Sequence, residues 1–119
     1  MPLVLPHDCP PTDALDCELE VYYVVKVSPC EATDFQTHAE RNSQRNADPC
    51  NRCGLSVWKD EADARYQAGK HPRLGNMIAR GRLQAEHGKL KQTYRPSHHT
   101  WWPADDVERH SIFEVIATV

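Results

Sequence analysis

Apolar residues in this chain fall into short runs parted by polar stretches, and the period changes from run to run. Residues 17–27 start with alternation at Glu18-Leu19-Glu20-Val21 and finish with the unbroken run Tyr22-Tyr23-Val24-Val25. β-branched and aromatic residues at a period of two predict a strand, and the continuous end predicts one covered on both faces. Ser28-Pro29-Cys30-Glu31 then matches a capping box with proline at the first helical position. It predicts a helix from about Pro29 to Arg41, with Ala32, Phe35 and Ala39 on one stripe. Asn42 to Pro49 reads as a polar loop. Leu55-Ser56-Val57-Trp58 reads as a short strand, and Asp60 can cap a helix running to about Gln67 that Gly69 and Pro72 close. From Leu74 to Leu83 the pattern is ambiguous: Met77, Ile78, Ala79 and Leu83 suit a strand, while Gly75 and Gly81 weaken any long element. A turn at Glu86-His87-Gly88 leads to a weak strand, Lys89 to Tyr94. Pro103 to Arg109 reads as a helical turn and Ser111 to Val119 as a closing strand. The sum is one α+β domain over residues 17–119, a mixed or antiparallel sheet with two main helices packed on it. An irregular arm precedes it at residues 1–16, with four prolines and Asp8, Asp13 and Asp16.

Composition narrows the class. A chain of 119 residues, 39% hydrophobic and 26% charged, suits one globular domain with its own core. No apolar run approaches a membrane span, so no membrane partner is expected. Met1-Pro2-Leu3-Val4-Leu5-Pro6 lacks the basic region of a signal peptide, and the expected location is the cytoplasm. Five cysteines cannot pair completely; in a reducing compartment they are expected as free thiols or metal ligands.

The net charge of −3 hides an asymmetry. Residues 65–95 hold eight Lys and Arg against Glu86 alone, 8 − 1 = +7, so the remainder carries −3 − 7 = −10. Such a field favours an anionic partner at the basic side, or is a solvated face balanced by the acidic start of the chain.

The densest chemistry lies in Ser97-His98-His99-Thr100-Trp101-Trp102-Pro103. Imidazole titrates near neutral pH, and tryptophan supplies apolar area with one donor. In an extended segment His98, Thr100 and Trp102 share one face and His99 and Trp101 the other. His98 or His99 is the candidate acid/base, and the alternative is a packing segment. Arg80 and Arg82 alternate with Ala79, Gly81 and Leu83, and Arg95 lies three residues before His98. Arg80, Arg82 and Arg95 with Trp101 and Trp102 would suit phosphate plus a flat ring, a nucleotide or one base of a strand. Cys50-Asn51-Arg52-Cys53-Gly54 has zinc-knuckle spacing, with Cys30 and His38, or Cys9 and Cys17, as further ligands. A thioredoxin-like use fits less well, since the pair precedes a strand rather than opening a helix. Asp105 and Asp106 suit a helical start. Phosphate-loop, nucleophile-elbow, zincin and EF-hand signatures are absent.

Gly54-Leu55-Ser56-Val57-Trp58, Pro72-Arg73-Leu74-Gly75-Asn76-Met77-Ile78-Ala79 and His98-His99-Thr100-Trp101-Trp102-Pro103, with the early strand, resemble segments of small uncharacterised bacterial proteins. Fainter is a likeness to ADP-ribosyltransferase-like domains, which place a Ser/Thr-bearing strand before a helix, as Leu55-Ser56-Val57 and the helix from Asp60 would. That resemblance implies an arginine or histidine from an early strand, where the basic side chain here is Lys26, and a late glutamate, here Glu114. Three functions follow as expectations. The first is a binding domain for an anionic small molecule, nucleic acid or acidic protein, through a basic His/Trp-lined surface. The second is an enzyme acting on NAD or nucleic acid, a transferase-like or nuclease-like toxin. The third is a structural zinc module in an interaction protein.

Overall fold

The computed structural model describes residues 5–16, 18–41, 48–94 and 96–119. The polar loop expected from Asn42 lies mostly outside the described residues, as do Cys17 and Arg95. Among the described residues seven strands form one sheet: β1 Leu15–Asp16, β2 Leu19–Val25, β3 Leu55–Trp58, β4 Met77–Leu83, β5 Gly88–Gln92, β6 His98–Pro103 and β7 Phe113–Thr118. Their order is β1-β5-β6-β3-β2-β4-β7, and every neighbouring pair is antiparallel. The ambiguous stretch before Leu83 is thus a strand, and the His/Trp segment is extended.

Alternation divides the side chains between two faces. Val21, Val25, Leu55, Val57, Ala79, Leu83, Leu90, Trp101 and Phe113 form the main core, which Cys30 and Phe35 close. Tyr23, Phe35 and Phe113 stack within it, with centroids 4.7 Å and 4.9 Å apart for the two Phe35 pairs. On the opposite face, α1 (Glu61–Lys70) buries Ala64 and Ala68 against Val24, Trp58 and Ile78. Those two alanines, four apart, let the helix lie close on the sheet. Acidic residues in its first turn and Lys70 in its last suit the helix dipole. Asp60 takes the N-cap position, but its side chain makes no capping hydrogen bond. Its backbone N–H donates instead to Ser97 Oγ, 3.0 Å away.

Among the described residues the fold therefore has one α-helix, not two, and is mostly sheet. The helix expected from Pro29 to Arg41 reduces to a 3-10 turn at Ala32–Phe35. Asp34 explains the difference. Its buried carboxylate accepts the backbone N–H groups of Lys26 and Glu31, both at 3.0 Å. Thr37 and Glu40 bond reciprocally through side chain and backbone just beyond. Such local closures compete with helical bonds, and three apolar residues give a helix little to bury. The helical turn expected from Pro103 likewise appears later, as a 3-10 turn at Arg109–Ile112. Among the described residues no helix is long and apolar enough to cross a membrane.

The sheet is not uniformly joined. β2 and β4 pair along seven residues, from Leu19–Leu83 to Val25–Met77. β2 and β3 meet in register only at Tyr22 and Trp58. Beyond that pair the C-terminal half of β2 leaves the start of β3, and the sheet splits into two wings. The 3-10 turn Pro72–Leu74 lies against the end of β2 because Gly75 permits it. Gly75 has φ +130°, and a Cβ there would strike the carbonyl of Val25. Gly75→Ala is expected to lower stability by about 1–3 kcal/mol, the usual cost of a residue forced into glycine-only backbone space. Urea denaturation checks it, and an unchanged midpoint would show that the turn relaxes freely.

Candidate functional site

The split between the wings opens a cleft of about 910 Å³. That is within the range of small-molecule sites. Lys26 and Val27 enter it from the end of β2, Leu55 and Ser56 from β3, and Arg73 and Leu74 from the turn that Gly75 holds. The segment after β2 adds His38 and Arg41. Among the described residues, Lys26, Arg41 and Arg73 make no ion pair. Glu31 and Asp34 are the acids at the wall, and Asp34 is committed to the backbone bonds above.

Tyr23, Trp58 and Tyr94 supply aromatic surface. The Tyr23 hydroxyl donates to the Asp34 carbonyl at 2.6 Å, and burial pushes the phenol's pKa well up, so it stays protonated. Tyr94 is 72% exposed, with φ +62°. Its hydroxyl accepts from Asn51 Nδ2 at 2.9 Å.

His98 stands behind these walls rather than in the cleft lining. Its ring meets Trp58 edge-on at 5.5 Å and Tyr94 at 5.2 Å. Nδ1 lies 2.8 Å from Thr93 Oγ1, which in turn is 2.9 Å from the cleft-lining Thr100 Oγ1. Burial lowers the imidazole's pKa. A histidine neutral in the fold but free to charge when unfolded makes stability fall as pH drops below its ordinary value of about 6.5. The fall continues until the folded imidazole also protonates. The melting temperature is expected to decline below that pH, and His98→Gln to flatten the decline. Parallel curves for both proteins would contradict this role.

The other expected site residues disperse. His99 points to the opposite face, its Nδ1 3.0 Å from the Ser97 carbonyl. Trp101 is wholly buried in the core and Trp102 nearly so, with Nε1 donating to the Cys50 carbonyl at 2.9 Å. These tryptophans pack the interior instead of presenting a platform. Arg80 and Arg82 are exposed on β4, opposite Glu114 and Glu20 in register. β2 and β3 separate them from β6, three strand spacings or roughly 14 Å. Arg80, Arg82 and His98 therefore do not converge, and Arg95 lies outside the described residues. The basic segment is also neutralised locally: Lys89 pairs with Asp16, Lys91 with Asp13 and Arg65 with Glu61. The acidic arm supplies two of those three partners.

Among the described residues the zinc set is not assembled. Cys50 is bonded to Cys9, which corrects the expectation that all five cysteines are thiols or ligands. Cys30 donates to the carbonyls of His110 and Phe113, and Cys53 to that of Pro49. Burial raises both thiols' pKa values. His38 lines the cleft, apart from these. Among the described residues no three His, Cys, Asp or Glu side chains gather as metal ligands. Gly54 serves packing: a Cβ there would strike the Thr100 methyl. Of the residues that the transferase resemblance implies, Ser56 and Lys26 line the cleft, while Glu114 lies on the outermost strand, β7.

No known protein family, no curated protein and no solved structure matches the chain. The site therefore has to be read from its own chemistry. Sequence reading missed Arg41, Arg73 and Tyr94 as site residues because they are scattered single residues, and Lys26 entered only through the transferase resemblance. The one local signal was Pro72-Arg73-Leu74-Gly75, a cation inside a glycine-closed turn.

Proposed function

We propose that the protein is a binding domain for a small anionic ligand, held in the cleft between β2 and β3. The observation that carries this reading is the approach of Lys26, Arg41 and Arg73 to one cavity without an ion-pair partner among the described residues. Cations left unpaired in a concave, partly apolar site favour an anion there, because low-dielectric walls strengthen the attraction. Lys89 and Lys91 already hold acids of the arm, which favours a confined site over an extended basic surface. The reading keeps the anionic ligand expected from the sequence and moves it to different residues. A transferase would need a carboxylate beside Ser56, and Glu114 does not line that cleft. Calorimetric titration with inorganic pyrophosphate tests the proposal. Saturable binding that weakens as salt rises is expected. Absence of binding at low salt would overturn it.

A further inference from the structure

Resting on that anion-binding reading, we infer that the ligand also carries a planar ring, which stacks on Tyr94, so that the cleft takes a free nucleotide. An inorganic anion uses the cations alone and leaves the rest of the cleft unexplained. Three exposed large hydrophobic side chains, Val27, Leu74 and Tyr94, all line this one cavity. Two of them directly follow a cation: Lys26-Val27 and Arg73-Leu74 each set charge beside apolar surface. A ligand matched to this arrangement is anionic at one end and flat and apolar at the other.

Tyr94 is built as the stacking surface. Its ring is braced by His98, 5.2 Å away, and its hydroxyl is held by Asn51, yet most of the residue remains open to solvent. Its positive φ is a conformation that few non-glycine residues adopt, and here it turns the backbone just beyond β5. Strained residues persist where surrounding contacts fix them, and they cluster at ligand sites. Trp58, whose ring also meets His98, lines the cleft as well, so one imidazole contacts both aromatic side chains. Base stacking on such a ring is sequence-tolerant and adds about tenfold or more to affinity.

The probes are ADP and inorganic pyrophosphate, titrated against wild type, Tyr94→Ala and Tyr94→Phe. ADP is expected to bind wild type about tenfold or more tighter than pyrophosphate, in keeping with stacking measured in other proteins. Tyr94→Ala should erase that margin without altering pyrophosphate binding, and Tyr94→Phe should keep it. Unchanged pyrophosphate binding also shows that the alanine variant is folded. Equal affinity of ADP and pyrophosphate for wild type would overturn the ring site while leaving the anion site standing. So would full ADP affinity in Tyr94→Ala. A single-stranded trinucleotide that outcompetes ADP would overturn the assignment to a free nucleotide. Failure of both probes to bind would remove the anion-binding reading and this inference with it.

Discussion

Trp101→Ala is expected to destabilise the fold by about 3–5 kcal/mol, a large share of the roughly 5–15 kcal/mol that holds a typical domain together. Trp101 has no exposed surface and sits on β6 between Leu55 and Leu90 in register. Its ring lies 5.9 Å from that of Phe113, so it ties the β6 wing to the β7 wing across the core. Its Nε1 donates to the His87 carbonyl at 3.0 Å, fixing the turn before β5. Truncation leaves a cavity and takes one of two donors from the His87 carbonyl, which keeps the Ala104 N–H, so the cavity dominates the cost. A denaturation midpoint far below wild type, largely recovered in Trp101→Phe, is the expected measurement. A tryptophan serving as a ligand platform would give the opposite pattern, with stability retained and binding lost.

Charge reversal at the cleft is expected to have the second large effect. Lys26→Glu with Arg73→Glu should weaken pyrophosphate binding by about a hundredfold or more at low salt. Each reversal removes an attraction and adds a repulsion, and contacts of about 4 Å are worth roughly 1–4 kcal/mol between aqueous and near-surface dielectric. Both positions are exposed, so the fold should tolerate the change to within about 0.5 kcal/mol. Arg80→Glu with Arg82→Glu makes the same formal change and should leave binding near wild type. Those arginines do not line the cleft, and Glu114 and Glu20 stand opposite them in register. Equal losses in the two pairs would show that the protein answers to net charge and not to a site.

Strand positions were the most legible part of the fold. Leu55–Trp58 is a strand with the expected bounds, and β2 and β7 lie within their expected runs. Period-two alternation survives folding because a sheet with both faces occupied enforces it. The second helix was misread because Pro29 and Glu31 imitate a helix start, while Asp34 takes the Glu31 N–H of that first turn and ties it back to Lys26 at the end of β2. The candidate site was less legible. His98 and His99 drew attention by chemistry, but one braces aromatic rings and the other faces the opposite side of the sheet. The cleft exists because β2 and β3 part after a single pair, and no short motif encodes a pairing that fails. Charge summed along residues 65–95 left two readings open, and the pairing of Asp13 and Asp16 with Lys91 and Lys89 favours the face balanced by the acidic arm.

The most direct test of the account is a backbone amide NMR titration of the whole chain with ADP. Shifts are expected at Lys26, Val27, Leu55, Ser56, Arg73, Leu74 and Tyr94, with Arg80, Arg82 and Glu114 silent. Shifts centred on β4 and β7, or none at saturating nucleotide, would contradict the claim that the parting of β2 from β3 makes the binding site.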